Sequence, residues 1–358
     1  MRVLVAPDSF GGTLSATAVA TAVAEGWRRS RPGDEVAVQP LSDGGEGLVD
    51  VVAALEGASV QRFEVVGPRG LAHEARWVLL ADGSAVVESA QACGLAHLAP
   101  DRRDPRRTTT WGVGQLLDAA RRAGARRVLV GLGGSATVDG GAGALSGLGF
   151  RLTVDDGSGL KVGGEDLPRV TGADRGWVAH WDGVEVELLA DVTTVLADAP
   201  RLFGPQKGAD QATVEHLERG LAAWRRVCED DLGAAPDLAE APGSGAAGGL
   251  GYGLAAGIGA RLVPGAGSVA GLVGLPAALV GADVVVTGEG RLDATSAAGK
   301  VVGHLRAAHP GRLLAVTGGP GDAPSDLVDD HEPAARGGER DADADDVAAA
   351  AARLAGRA

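Results

Sequence analysis

Short apolar runs that end in loops of Gly, Asp and Ser recur along this chain, and this recurrence constrains its fold most. Residues 2–6 run into Pro7-Asp8-Ser9, and residues 127–132 run into Gly133-Gly134-Ser135. Ala- and Gly-rich stretches that predict helices follow these loops. Strands alternating with helices form parallel sheets covered on both faces. The pattern therefore predicts an α/β protein whose polar loops gather at the carboxyl ends of the strands.

The same pattern returns at residues 35–41 and 283–287, so strands of this kind occur near both ends of the sequence. Between them, residues 61–83 carry alternating side chains that indicate antiparallel or mixed sheet, and we interpret them as the start of a second, inserted domain. Residues 326–346 are dense in Asp, Glu, Arg and Gly and predict a loop or linker. A chain of 358 residues is expected to form two domains.

The composition excludes several classes of protein. The net charge is −14 and no run of Lys or Arg offers a basic stripe, so nucleic acid is not an expected partner. Cys93 and Cys228 lie far apart and outside any metal-binding spacing, which fits a reducing cytoplasm. Residues 241–282 are poor in charge but rich in Gly and Pro, so no membrane span is expected there. The apolar start, residues 1–8, is too short for a signal peptide.

Lysine is rare in this sequence, which has 33 basic residues of which only Lys161, Lys207 and Lys300 are lysines. A lysine kept in such an arginine-rich background suggests a need for a compact ammonium group. Lys207 and Lys300 stand in glycine-flanked, loop-like segments. The ammonium of Lys207 is suited to bridging the β- and γ-phosphates of a nucleotide or to holding a substrate carboxylate.

Two glycine-rich loops are candidate anion sites. Gly131–Ala136 fits the GxGxxA form of a dinucleotide fingerprint, follows a strand and is predicted to open a helix; its backbone N–H groups could hold a phosphate or carboxylate, or the loop could be a tight packing turn. The second loop contains Gly243, Ser244 and Gly245. It could approach a triphosphate closely, or it could be a lid or packing turn.

Acidic side chains occur in or beside most of these loops. Each one alone is more often a helix cap or a turn former. Together they could hold Mg²⁺ through carboxylate oxygens or accept the proton of a substrate hydroxyl. Carboxylates, a metal ion and positive charge around one phosphate are what phosphoryl transfer requires. The acids are Asp8, Asp43, Glu46, Asp139, Asp191, Glu289 and Asp293.

Six of these segments, taken in order, resemble the motifs of the type I glycerate kinase family. The resemblance covers nearly the whole chain to about residue 305. The segments are VAPDSF (5–10), LSDGGEG (41–47), GLGGSAT (131–137), FGPQKGA (203–209), PGSGAAGG (242–249) and TGEGRLD (287–293).

The resemblance implies two α/β domains. One is a flavodoxin-like parallel-sheet domain built from both chain ends, expected at residues 1–60 and 281–358. The other is a mixed-sheet α/β domain inserted at residues 61–280. The resemblance places the active site in the cleft between them.

The resemblance also implies an activity. It is the transfer of the γ-phosphate of ATP to D-glycerate with Mg²⁺, in hydroxy-acid catabolism. The expected acceptor is the 2-hydroxyl, which gives 2-phosphoglycerate. The expected partners are D-glycerate and ATP, and the expected state is a cytoplasmic monomer or homodimer.

Roles for individual residues follow as hypotheses. Asp191 or Asp43 orients or deprotonates the glycerate hydroxyl, Lys207 neutralises charge on the transferring phosphoryl group, and Arg291 clamps the glycerate carboxylate. Glu289 and Asp293 hold Mg²⁺. The expected nucleotide-binding residues are Gly133, Gly134, Ser135, Gly243, Ser244, Gly245 and Lys300. Further substrate-site candidates are Asp8, Ser9, Ser42, Glu46 and Asp139.

Two other functions remain open from the sequence. The family commonly has Lys where this chain has Gly11, and Asn where it has Val138 and Thr194. These departures favour, as one alternative, a degenerate protein that binds or senses glycerate without turnover. The fingerprint at Gly131 favours, as the other, an NAD-dependent hydroxy-acid dehydrogenase.

Overall fold

The computed structural model describes residues 1–161, 163–297, 300–322, 324–335 and 341–358. They form two compact units, Met1–Leu55 with Pro264–Ala358 (unit 1) and Glu56–Val263 (unit 2). The strands are β1 (Arg2–Val5), β2 (Glu35–Val38), β3 (Ser59–Val66), β4 (Ala72–Leu79), β5 (Ala85–Glu88), β6 (Arg127–Gly131), β7 (Arg151–Val154), β8 (Val170–Asp174), β9 (Glu185–Leu189), β10 (Arg261–Val263), β11 (Val284–Glu289), β12 (Arg312–Thr317) and β13 (Asp330–Pro333). The helices are α1 (Ala16–Ser30), α2 (Leu48–Ala53), α3 (Ser89–Cys93), α4 (Trp111–Arg122), α5 (Ala142–Gly147), α6 (Ala199–Phe203), α7 (Gln211–Leu232), α8 (Ala246–Ile258), α9 (Gly265–Leu272), α10 (Leu275–Leu279), α11 (Val301–Ala308) and α12 (Ala344–Ala355).

Unit 1 is built on a five-stranded sheet in the order β13-β12-β11-β1-β2, in which all neighbours are parallel. Numbered within the unit, this order is 2-1-3-4-5 read from the other edge, the flavodoxin-like topology. The predicted fold class, with a parallel-sheet unit made from both chain ends, is therefore confirmed. The chain reverses its direction of winding between β1 and β11, which makes the carboxyl ends of these two strands the topological switch point.

Helices α1 and α12 cover one face of this sheet and pack closely on each other. Gly26 makes this approach possible, because a Cβ there would collide with the Ala348 carbonyl oxygen. Trp27 is fully buried in the same core, and its indole N–H donates to Asp34 Oδ2 at 3.0 Å. The helix pair thus ties the C-terminal segment to the N-terminal one.

Strand β13 corrects the sequence analysis, which predicted a loop or linker over residues 326–346. Part of that segment, Asp330–Pro333, pairs in parallel with β12. The charged side chains that suggested a loop form ion pairs within the fold. Glu332 is buried, and its two carboxylate oxygens accept from Arg353 and Arg357 at 2.7 and 2.9 Å. Residues 336–340 of the segment lie outside the described residues.

Unit 2 is built on a six-stranded mixed sheet in the order β10-β9-β6-β5-β4-β3. Strands β3, β4 and β5 are antiparallel neighbours, whereas β5, β6, β9 and β10 are parallel ones. Strands β7 and β8 form a separate antiparallel hairpin. The mixed sheet predicted from the alternating residues 61–83 is confirmed, since that segment forms β3 and β4.

The long helix α7 packs on the interior of unit 2 through Trp224, which is fully buried and donates from Nε1 to the Gly140 carbonyl at 2.9 Å. Helix α8 is buried along nearly its whole length and is rich in Gly and Ala. In the described part of the chain, no helix has both the length and the hydropathy of a membrane span.

Candidate functional site

Three predicted acids lie together at the switch point of unit 1. Asp8 follows β1, and its N–H donates to the Gly288 carbonyl near the end of β11 at 2.8 Å. Asp8 Oδ2 accepts from the N–H of Asp43, in the loop after β2, at 3.2 Å. Glu289 is the last residue of β11 and is buried. We call Asp8, Asp43 and Glu289 the switch-point cluster.

The cluster changes the acidity of Asp8. Burial raises the pKa of Asp8 well above its ordinary value, and the like charges of Asp43 and Glu289 raise it further. The backbone N–H groups of Ser9 and Asp43 oppose this effect by donating to the carboxylate. A carboxyl group of raised pKa in a loop at a strand end is a candidate for proton transfer.

The loop after β2 is folded on its own polar side chains. Ser42 is buried, and its Oγ accepts from Gly44 N–H at 3.1 Å. Asp43 Oδ1 accepts from Gly45 N–H at 2.8 Å. Glu46 is exposed at the loop surface. The loop therefore fixes the Asp43 carboxylate beside Asp8 and leaves Glu46 in solvent.

Glu289 and Asp293 were predicted to hold Mg²⁺, and the donors present suit that ion. Glu289 Oε2 lies 3.6 Å from Lys300 Nζ, while Oε1 is buried and has no hydrogen-bond partner among the described residues. Burial raises the pKa of Glu289, and the nearby Asp293 charge adds to this. No three His, Cys, Asp or Glu side chains in the described ranges lie close enough to hold a metal alone. Mg²⁺ commonly uses only one or two carboxylates plus substrate phosphates, so this set fits the ion.

A cavity of about 580 Å³ lies at the same end of the unit 1 sheet. Its wall includes Phe10, Gly11, Arg291 and the glycines that follow β11 and β12. Glycines leave backbone groups accessible to a ligand. The exposed Arg291 guanidinium gives the cavity a group that can bind a carboxylate bidentately.

In unit 2, Lys207 lies beneath the first glycine loop (residues 132–137). It is only 3% exposed, and its Nζ donates to Ser135 Oγ at 3.0 Å and to the Thr137 carbonyl at 2.7 Å. Burial lowers the pKa of Lys207 to about 8, against the opposing charges of Cys93 and Asp139. The ammonium therefore adds positive charge under a loop whose Gly133 and Gly134 remain accessible.

The structure brings the two glycine loops together. Gly248 of the second loop (residues 242–249) packs against the first, because a Cβ there would collide with the Thr137 carbonyl oxygen. Gly140 N–H donates to the Gly248 carbonyl at 3.0 Å. Ala247 has a positive φ of 53°, the only such non-glycine residue among those described. The close packing explains why this stretch is so poor in side chains.

Asp191 lies beside the second loop. One residue separates it from the end of β9. In the same segment, the Thr194 carbonyl accepts from the N–H of Gly245, in the second loop, at 3.0 Å. Ser244 is fully buried, and its Oγ donates to the Ala239 carbonyl at 2.8 Å. The hydroxyl of Ser244 thus supports the loop from inside, while Asp191 is partly exposed at its side.

Asp139, a predicted substrate-site residue, is fully buried in unit 2. Its carboxylate accepts from the N–H and hydroxyl of Thr110, at 2.8 and 2.9 Å, and from Gly141 N–H at 3.1 Å. Burial raises its pKa, and these donors oppose the rise. Sequence reasoning did not identify Thr110, whose position before α4 carries no motif signal.

Replacing Asp139 with alanine is expected to lower the free energy of unfolding by about 3–5 kcal/mol, because Thr110 and Gly141 lose a buried acceptor. The measurement is urea denaturation, with the exposed Asp182→Ala variant as control. A loss below about 1 kcal/mol, the range of surface substitutions, would show that this bonding is not needed for stability.

The dinucleotide-fingerprint interpretation of Gly131–Ala136 is wrong in one respect. The segment follows β6 but does not open a helix, since α5 begins only at Ala142. A dinucleotide site also needs an acid about 20 residues after the glycines to bind the ribose. Asp155 and Asp156 lie at that spacing, but both accept hydrogen bonds from Arg169 instead. A Rossmann site needs the helix N-terminus at the glycines, so this geometry does not support the dehydrogenase alternative.

Comparison of the sequence with known proteins identifies its relatives. The sequence profile described as "Glycerate kinase family" matches residues 3–335. Glycerate 2-kinase of Escherichia coli is 38% identical over 307 residues, which cover 84% of this chain and 80% of that protein. An uncharacterized protein of Mycobacterium tuberculosis, MT2261, is 45% identical over 311 residues, covering 86% of this chain and 75% of that protein.

A solved structure shows the same fold. It is the crystal structure of "putative glycerate kinase 2" from Salmonella typhimurium LT2. It superposes with a TM-score of 0.82 at 34% identity and covers 100% of this chain and 98% of that one.

Proposed function

Because this chain belongs to the glycerate kinase family and is therefore a kinase, we propose that it transfers the γ-phosphoryl group of ATP to the 2-hydroxyl of D-glycerate. The product is 2-phosphoglycerate. The observation that carries the proposal is the switch-point cluster of unit 1, where three carboxylates, Lys300 and the Arg291 cavity lie at one end of a parallel sheet. The E. coli relative's name, glycerate 2-kinase, supports the choice of hydroxyl.

The two glycine loops of unit 2 are proposed to bind the nucleotide phosphates. The proposed residues are Gly133, Gly134 and Ser135 in the first loop and Gly243, Ser244 and Gly245 in the second. Ser244 would act by supporting its loop, since its hydroxyl donates to the Ala239 carbonyl. Lys207 is proposed to stabilise the charge of the transferring phosphoryl group from beneath the first loop. A buried ammonium acts strongly at short range because little water screens it.

Glu289 and Asp293 are proposed to hold Mg²⁺. When bound, the ion neutralises charge on the phosphate oxygens. Lys300, whose Nζ lies 3.6 Å from Glu289 Oε2, is proposed to contact the nucleotide phosphates beside it. The observation in favour is Oε1 of Glu289, which is buried and has no hydrogen-bond partner within the described ranges, whereas a buried carboxylate oxygen usually keeps a donor.

The glycerate hydroxyl needs a carboxylate that orients it and accepts its proton. Asp191 in unit 2 and Asp43 in unit 1 are the two proposed candidates. Asp8, Ser9, Ser42 and Glu46 complete the proposed substrate side of unit 1. Asp139 is kept as a candidate only through its support of the loops, since its carboxylate is fully buried.

A coupled assay of ADP release tests the proposal, with purified protein, ATP and Mg²⁺, with and without D-glycerate. We expect release that depends on glycerate and stops when EDTA removes the metal. ATP binding without any turnover would contradict the proposal and favour a degenerate glycerate-binding protein. We also propose a cytoplasmic location. Cys93 and Cys228 support it, because both are buried and form no disulfide bond.

Replacing Arg291 with alanine is expected to raise the KM for glycerate by about 10–100-fold with a smaller change in kcat, since a charge-assisted carboxylate contact is worth roughly 1.5–3 kcal/mol. The exposed Arg29→Ala variant of α1 is the control. Steady-state kinetics measure both.

A second variant tests the same contact. A Cβ on Gly11 would meet nothing within 4 Å, and Gly11 lines the Arg291 cavity. Adding Gly11→Lys to Arg291→Ala is therefore expected to restore part of the glycerate affinity. An unchanged KM in Arg291→Ala would remove Arg291 from the substrate site.

A further inference from the structure

Strand β3 forms one edge of the unit 2 sheet. Its eight residues pair antiparallel with β4 along their whole length, and in the described part of the chain no strand pairs with the other side. Val60 and Phe63 are 41% and 43% exposed. An edge strand of this length presents backbone donors and acceptors that another strand can use.

The direction of these backbone groups can be read from neighbouring contacts. Gly67 N–H donates to the Leu71 carbonyl across the hairpin at 2.6 Å. The odd-numbered residues of β3 therefore direct their backbone N–H and C=O groups toward β4. Val66 N–H donates instead to the side chain of Gln115 in α4, at 2.7 Å. Because N–H and C=O groups alternate sides along an antiparallel strand, the even residues Val60, Arg62 and Glu64 point their backbone groups away from the sheet.

This alternation limits how a second copy could pair with β3. In a symmetric antiparallel pair, the outward-facing residues of one strand must lie opposite outward-facing residues of the other. The pair is then centred on a single residue. Centring it on Arg62 opposes two arginines, and centring it on Glu64 opposes two glutamates. Centring it on Gln61 leaves both charges unpaired.

Centring the pair on Phe63 is different. It places Arg62 of each copy opposite Glu64 of the other, and it brings the two Phe63 rings together at a non-hydrogen-bonded position, where side chains approach most closely. Opposite charges and aromatic pairs across strands both stabilise a sheet.

The charges within one copy favour the same register. Arg62 lies opposite Arg76 and Glu64 lies opposite Glu74 in the β3–β4 ladder, and like charges directly opposite are unfavourable. The diagonal Arg62–Glu74 ion pair offsets this only in part. A second β3 strand would place an opposite charge on the open side of both Arg62 and Glu64.

We propose that β3 joins two copies of this chain through an antiparallel strand pair centred on Phe63. The hydrogen-bond ladder between the two copies is short, because α4 covers the end of β3 at Val66. Helix α4 lies so close there that a Cβ on Gly112 would collide with the Val66 carbonyl oxygen. The central Arg62–Glu64 pairs exchange backbone hydrogen bonds. This interface involves no residue of the proposed reaction.

Sedimentation velocity of the full-length protein and four variants tests the interface. The wild type is expected to be a dimer. In a dimer of Arg62→Glu or of Glu64→Arg, both cross-strand pairs between positions 62 and 64 carry like charges. Each variant should therefore raise the dissociation constant at least about a hundredfold. The double variant Arg62→Glu/Glu64→Arg exchanges both signs and should dimerise again. Arg261→Glu, on the opposite edge strand β10, should leave the dimer intact.

An equimolar mixture gives the sharpest result. Arg62→Glu and Glu64→Arg, each monomeric alone, should form a heterodimer when mixed, because two acids then face two bases. Circular dichroism checks that every variant is folded. A monomeric wild type, single variants that stay dimeric, a mixture that stays monomeric, or dissociation by Arg261→Glu would each overturn the proposal.

Discussion

Replacing Asp191 with asparagine is expected to lower kcat by about 10²–10⁴-fold, the usual contribution of a positioned general base. Asparagine keeps the shape of the side chain but cannot accept the hydroxyl proton, so the fold should survive. Asp191 follows β9 beside the second glycine loop, where the proposed nucleotide phosphates lie. Steady-state kinetics with D-glycerate measure the effect, and circular dichroism confirms folding.

The matched variant Asp43→Asn separates the two candidate bases. If Asp191 is the base, Asp43→Asn should change kcat by about tenfold or less. It should also lower the pKa of Asp8, because removing the Asp43 charge removes one cause of its raised value. Near-normal turnover in Asp191→Asn with a large loss in Asp43→Asn would assign the base to Asp43.

Replacing Lys207 with methionine is expected to lower kcat by about 10²–10³-fold, because it removes a preorganised positive charge near the transferring phosphoryl group. Methionine fills a similar volume but leaves the buried Thr137 carbonyl without its donor, so a stability loss of about 1–3 kcal/mol is expected beside the loss of kcat. The exposed Lys161→Met variant is the control. A kcat within about threefold of the wild type would make Lys207 a structural residue only.

The pH profile gives a second readout for Lys207. Its pKa is lowered to about 8, so the free enzyme carries this charge below pH 8 and loses it above. The kcat/KM of the wild type should therefore fall as pH rises through about 8, since kcat/KM reports the pKa values of the free enzyme. Lys207→Met should lack this limb. A wild-type profile that stays level up to pH 10 would contradict the proposed role.

The sequence predicted the fold class because two of its signals are strong. Apolar runs followed by polar loops indicated parallel strands, and the resemblance to the glycerate kinase family implied a sheet shared by both chain ends. The mixed sheet of unit 2 followed from the alternation in residues 61–83. The domain limits at 60/61 and 280/281 stay predictions, as do the roles of the individual site residues.

Other features could not be predicted, for physical reasons. Strand β13 is short and charged, and only its parallel pairing and the arginine partners of Glu332 make it a strand. The helix expected after Ser135 begins instead at Ala142, because the intervening loop packs on Gly248. Burial of Asp139 and Lys207 depends on contacts with Thr110, Ser135 and Thr137 that are distant in sequence.

Phosphorus NMR of the product formed from ATP, Mg²⁺ and D-glycerate tests the central claim most directly. We expect the resonance of 2-phosphoglycerate, with its phosphorus coupled to the single proton on C2, together with that of ADP. A 3-phosphoglycerate resonance, coupled to the two protons on C3, would contradict the assignment of the 2-hydroxyl. Unchanged ATP in the presence of glycerate would contradict the phosphotransfer itself.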